Sequence, residues 1–95
     1  MAYVLIVRMK AQERNEERAA EIMAELAEAS RTEPGCEAYE PCRGTEDPRS
    51  FAIYERYRDT AAFTEHGQTE HFQRLAAGEL FPLMESRERV FYESL

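Results

Sequence analysis

Cysteine, glycine, proline and positive charge are all scarce in this sequence, and each scarcity removes a class of protein. The two cysteines, Cys36 and Cys42, are six residues apart in one predicted extended segment. Strand rise separates them by roughly 20 Å, whereas bridged Cα atoms sit within about 7 Å, so they cannot pair with each other. Neither a C-x-x-C pair nor a Cys/His quartet occurs, which excludes a structural zinc or thioredoxin-like motif and leaves both thiols as reduced packing residues. Only four glycines and four prolines accompany 43% hydrophobic and 33% charged residues, the composition of a folded domain rather than a disordered or fibrous chain. Lysine and arginine number 12 against 19 acidic residues, a net charge of −7. No basic stripe exists to meet a phosphate backbone, so nucleic acid is not an expected partner. The apolar run at Tyr3 to Val7 has no basic flank and is far too short for a signal core or a membrane span. No membrane partner is expected, and the expected location is the cytoplasm. The 95 residues are expected to form one domain, residues 1–95.

What is present is a patterned chain. Tyr3 to Met9 reads as a strand with both faces largely apolar. From about Glu13 to Ser30, apolar residues recur at Ala19, Ile22, Met23, Leu26 and Ala29 or Ser30, the spacing of an amphipathic helix. Thr32-Glu33-Pro34-Gly35 is a helix stop and sharp turn. Cys36 to Arg43 is a second strand, with Cys36, Ala38, Glu40 and Cys42 on one side and Pro41 at an edge, bulge or end. Gly44 to Pro48 is a turn cluster that makes a hairpin with the strand Phe51 to Arg58.

The period changes from about two to about 3.6 at Asp59, inside the stretch Phe51 to Phe72 that holds both histidines. Asp59 caps a helix Thr60 to His66 that Gly67 ends. Thr69 caps another, Glu70 to Ala77, with Gly78 as its stop. An apolar connector, Leu80 to Met84 around Pro82, leads to a last strand, Arg87 to Glu93. The order βαββ, a broken helical segment, then β is that of a ferredoxin-like α+β fold, an antiparallel sheet with its helices on one face. The other face is left apolar and bare, so a homodimer packed through the open sheet face is expected.

Several motifs in this order resemble the antibiotic biosynthesis monooxygenase family of dimeric α+β barrels, which includes quinol monooxygenases. They are the EPGC turn (Glu33 to Cys36) followed by Tyr39, F-x-I-Y-E-x-Y from Phe51 to Tyr57, D-x-x-A-F-x-x-H from Asp59 to His66, and T-x-H-F from Thr69 to Phe72. The resemblance implies a cavity between helices and sheet in which a small phenolic or hydroquinone substrate is oxidised by dioxygen without cofactor or metal. His66 matches a position where members place a cavity-lining His or Trp, and Glu55 a frequent strand carboxylate. Haem-degrading members resemble the pattern too. This chain departs from them: strand one has no asparagine, and Ala76 stands where their axial histidine would be.

The residues argue toward the same site. His66 shares a helix face with Phe63, so its imidazole is expected among aromatics and able to act as a base toward a substrate hydroxyl. Glu55 shares a strand face with Phe51, Ile53 and Tyr57, where a carboxylate needs a partner; a hydrogen bond to His66 is the expectation. These two are the candidate catalytic residues. Tyr39, Tyr57, Phe63 and Phe81 are candidate substrate-lining residues, with His71 at the cavity rim. His66 and His71 are five residues apart across the Gly67 break, a spacing that gives joint metal ligation no support. The same cavity suits a non-oxidative isomerase or a small-ligand-binding stress protein, and the fold also suits a purely structural dimerisation module.

Overall fold

The computed structural model describes all 95 residues. Its order is β1 (Tyr3–Ala11), α1 (Glu16–Ser30), β2 (Cys36–Arg43), β3 (Ser50–Tyr57), α2 (Thr60–Gln68), a π-helical segment (Phe72–Leu80), a 3-10 turn (Phe81–Leu83) and β4 (Met84–Glu93). The four strands form one antiparallel sheet in the order β2-β3-β1-β4. That is the ferredoxin-like α+β arrangement, with β2 and β3 as the expected hairpin.

Alternation decides which side chains meet the helices. Leu5, Val7, Met9 and Ala11 of β1 and Phe51, Ile53, Glu55 and Tyr57 of β3 are all buried. They share one sheet face because Leu5 stands opposite Glu55, Val7 opposite Ile53 and Met9 opposite Phe51. Helix α1 covers this face with Ala19, Ile22, Met23, Leu26, Ala27 and Ser30. It begins three residues later than its apolar spacing suggests, because Arg14 takes a left-handed conformation (φ 75°) that interrupts helical winding ahead of Asn15.

Three other boundaries move for identifiable reasons. In β2 the register shifts between Cys36 and Ala38, so Cys36 pairs with Tyr57 and turns to the helix side, away from Ala38, Glu40 and Cys42. The segment expected as an α-helix from Glu70 to Ala77 winds as a π-helix and continues through Gly78 to Leu80. Gly78 does not stop it: no glycine in the chain has positive φ, and a Cβ there would meet the Gln73 carbonyl oxygen at 3.2 Å. Glycine thus leaves room for the wider i to i+5 winding. Finally, β4 begins at Met84 rather than Arg87, joined to β1 across an irregularity between Lys10 and Ala11.

Gly35 is required for space rather than for a special φ. A Cβ at this buried position would lie 2.4 Å from the Ala62 Cβ, and its carbonyl accepts a hydrogen bond from the Arg58 N–H at 2.8 Å. The turn after α1 is thereby laid directly on α2.

No helix is long and apolar enough to cross a membrane. On the face away from the helices, Ile6, Tyr54, Val90 and Tyr92 are all exposed. They are neighbours, since Ile6 stands opposite both Tyr54 and Val90. A contiguous apolar stripe of this kind is uncommon on a monomer, and we propose that a second copy of the chain covers it. Sedimentation at micromolar concentration is expected to give a dimer that Tyr54→Glu weakens. A wild-type monomer at that concentration contradicts the proposal.

Candidate active site

Helix α2 presents the central imidazole. The Asp59 carboxylate accepts a hydrogen bond from the Ala62 N–H at 2.8 Å, fixing the first turn. At the other end the Thr69 hydroxyl donates to the His66 carbonyl at 2.7 Å and accepts from the Phe72 N–H at 3.2 Å. That pin sets the angle between α2 and the π-helical segment, and it turns His71 back toward the α1–β2 turn.

Both histidines converge on one oxygen. His66 Nδ1 lies 2.8 Å and His71 Nε2 2.6 Å from Glu33 Oε2. An ionised carboxylate can only accept, so both ring nitrogens carry protons toward it. In neutral His66 the proton is then on Nδ1, and Nε2 keeps its lone pair. Nε2 points the other way and stands 3.9 Å from Glu55 Oε1. The expected hydrogen bond between Glu55 and His66 is not made at that distance. Glu55 accepts instead from the Tyr57 hydroxyl at 2.6 Å, and Glu33 is what orients the imidazole.

His66 is buried, with Tyr39, Tyr57 and Phe72 ring centroids 5.2 to 5.7 Å from its own. Burial holds its pKa below the ordinary value, opposed by the hydrogen bond and charge of Glu33. Burial pushes the Glu55 carboxyl up to about 7; the Tyr57 hydroxyl and the Arg89 charge pull it down, while the Glu33 charge adds to the rise. Tyr39 and Tyr57 are both raised, first by burial and then by the charge of Glu55, and remain phenols at neutral pH.

A cavity of about 390 Å³, lined by both His66 and Glu55, lies between the sheet and the helical layer. Leu5, Val7, Met9 and Ile53 form its sheet wall, and Phe72, Ala76, Leu80 and Phe81 its helical wall. Of the residues expected from sequence, Tyr39, Glu55, Phe63, His66 and Phe81 line it. Tyr57 and His71 do not. The Tyr57 hydroxyl is engaged by Glu55, and the His71 imidazole by Glu33. Sequence reasoning missed Glu33, taking it only as part of a helix stop, although the EPGC motif that carries the resemblance contains it. It also missed Arg87 and Arg89, which line the cavity from β4.

Glu33, His66 and His71 together offer three ligand atoms within 4.8 Å of one another, a donor set suited to a divalent transition metal. The fold therefore unites two imidazoles whose spacing gave no reason to expect it. Ligand atoms on a shared tetrahedral zinc stand roughly 3.3 Å apart. The 2.8 and 2.6 Å separations are hydrogen-bond distances, so the trio would have to part before holding an ion.

The sequence model of the antibiotic biosynthesis monooxygenase family matches residues 2–78. The chain belongs to that family. Its fold is shared with a Pseudomonas aeruginosa protein at 29% identity and TM-score 0.91, over 99% of this chain and 94% of the other. A candidate antibiotic biosynthesis monooxygenase from Nitrosomonas europaea is similar at 27% identity and TM-score 0.92, covering 99% and 90%. A third crystal structure, described as an antibiotic biosynthesis monooxygenase, gives 28% identity and TM-score 0.90 over 100% and 99%. No curated protein sequence matches. The family span includes Glu33, Glu55, His66 and His71 and ends before Phe81 and the two β4 arginines.

The buried acid makes stability pH-dependent. Glu55 ionises near 4.5 ordinarily and near 7 when folded, so the folded state binds its proton more tightly. Its contribution is full below about 4.5, falls as pH rises through 7 and is then constant, an interval worth at most about 3 kcal/mol. His66, lowered by burial, acts in the opposite sense: its contribution is present above 6.5 and lost as pH falls. Glu55→Gln isolates the first effect. In urea unfolding, the variant is expected to gain stability relative to wild type between pH 5 and pH 8; a constant difference across that interval contradicts the assignment.

Proposed function

We propose that this antibiotic biosynthesis monooxygenase homologue oxidises a small phenol or hydroquinone with dioxygen, His66 Nε2 taking the proton from the reacting hydroxyl. Family membership and an apolar cavity with a few convergent polar groups support oxidation or small-ligand binding as the general role. The observation that carries the finer reading is the direction of the imidazole. Glu33 occupies Nδ1, which leaves the basic nitrogen on the side of Glu55, a residue that lines the cavity together with His66.

The chemistry needs an anion, because a phenolate gives an electron to dioxygen far more readily than a phenol does. Proton transfer to Nε2 produces that anion, and Glu33 stabilises the imidazolium that forms. A low-dielectric surrounding strengthens the Glu33–imidazolium attraction when the charge appears. For a hydroquinone, one oxygen atom of dioxygen joins the ring carbon and the other leaves as water. The product is a hydroxyquinone, so atoms and electrons balance without an external reductant. Glu55, which titrates near neutrality 3.9 Å from the same nitrogen, is placed to receive or return the proton. No resident cofactor enters this scheme.

That last feature also favours a second reading. A base and a carboxyl with its pKa near 7 on one side of a cavity can move a proton between two carbons of a carbonyl compound, which is isomerisation without oxygen. Oxygen uptake separates the two. With a panel of hydroquinones the wild type is expected to consume one dioxygen per substrate, and His66→Ala to lose at least about a hundredfold of the rate. Substrate turnover with no oxygen consumed removes the monooxygenase reading, and an undiminished rate in His66→Ala removes the base.

A further inference from the structure

Arg87 and Arg89 form a pair of uncommitted cations on the cavity wall. In β4 they stand opposite Met9 and Val7, so both project to the helix side of the sheet, and both line the cavity. Arginines on that face would be expected to find carboxylates, since acidic residues outnumber basic ones 19 to 12. Nine of the 12 basic side chains do pair with an acid: Lys10 and eight arginines. Arg87 and Arg89 do not, and they are the two that face the cavity.

Both guanidinium groups are instead backed by rings. The Arg87 Cζ lies 3.7 Å from the Phe81 centroid and the Arg89 Cζ 5.2 Å from that of Phe91. Stacking occupies the flat face of a guanidinium and leaves its N–H edge unused. That edge is a two-pronged donor matched to a carboxylate or similar oxyanion. A chain of net charge −7 repels anions at long range, so an anionic ligand needs such a local attraction. Glu55 is the one acid that lines the cavity; the Arg89 charge reaches it, and burial pushes its carboxyl up to about 7, which disfavours its anionic form.

We infer that the cavity takes an aromatic ligand bearing an oxyanion substituent, with Arg87 and Arg89 as its anion subsite and the phenolic hydroxyl directed to His66. The inference rests on the proposed phenol-binding role and narrows it to acidic phenols and hydroquinones. The two arginines are specificity residues; they hold the end of the ligand that does not react.

Anaerobic calorimetry with two matched probes tests this, hydroquinone itself and 2,5-dihydroxybenzoate. The wild type is expected to bind the carboxylated probe about tenfold more tightly at low salt, with the preference shrinking at high salt. In the double variant Arg87→Gln/Arg89→Gln the preference should fall close to one, and in Arg87→Lys/Arg89→Lys part of it should return. Equal affinity of the two probes for the wild type, binding of neither, or a preference that survives the glutamine pair overturns the subsite. So does a glutamine variant whose main change is a loss of self-association in sedimentation, because the arginines would then serve an interface. Oxygen uptake plays no part in this readout. A preference without turnover removes the monooxygenase and keeps the subsite, and turnover without a preference does the reverse.

Discussion

One carboxylate oxygen, Glu33 Oε2, sets the direction of both imidazoles in the chain. The surrounding structure serves that contact. Gly35 lets the turn after α1 lie within van der Waals reach of Ala62 on α2, which delivers Glu33 to the face where His66 emerges. Asp59 fixes the start of α2 and Thr69 its end, so the imidazole arrives at a set height and angle. A partly buried carboxylate costs stability unless its oxygens are satisfied, and two N–H donors on one oxygen supply that. Loss of either histidine would leave Glu33 with one donor, so the trio stands as a unit.

Around this anchor, burial works in opposite directions on the two groups that face the cavity. It raises the carboxyl of Glu55 to about 7 and lowers the imidazole of His66 below its ordinary value, so burial disfavours the charged form of both. The sheet wall contributes shape through its apolar residues and charge through Glu55, Arg87 and Arg89, and the opposite face of the same sheet carries the exposed apolar stripe. One sheet therefore lines the cavity on one side and presents an exposed apolar stripe on the other, as period-two alternation allows.

Much of the fold was legible because its signals are local. The change of period at Asp59, the alternation of Phe51 to Tyr57 and the helical spacing of Ala19 to Leu26 each report a face directly. Glu55 on the buried face and His66 beside Phe63 followed from the same periodicities. What was not legible depends on contacts between distant segments. Glu33 reads as the last polar residue before a proline, and nothing within four residues of it predicts an imidazole 33 positions away. His71 is separated from His66 by a break whose geometry a side-chain hydroxyl decides, so counting along the chain could not place the two rings on one oxygen. The π winding through Gly78 inverts the usual meaning of a glycine near a helix end. Arg87 and Arg89 alternate along a strand where Val90, Phe91 and Tyr92 dominate the pattern, and their significance appears only once the ion pairs of nine other basic side chains are known.

A base at His66 Nε2 requires the proton of the neutral ring to sit on Nδ1. Nitrogen-15 NMR of the imidazoles at neutral pH reads this directly, with Glu33→Gln as the comparison. The structure predicts a protonated Nδ1 and an unprotonated Nε2 for His66, with that preference weakened when Glu33 no longer offers a carboxylate. A native His66 protonated at Nε2 would turn its lone pair away from the cavity and contradict the assignment of the base.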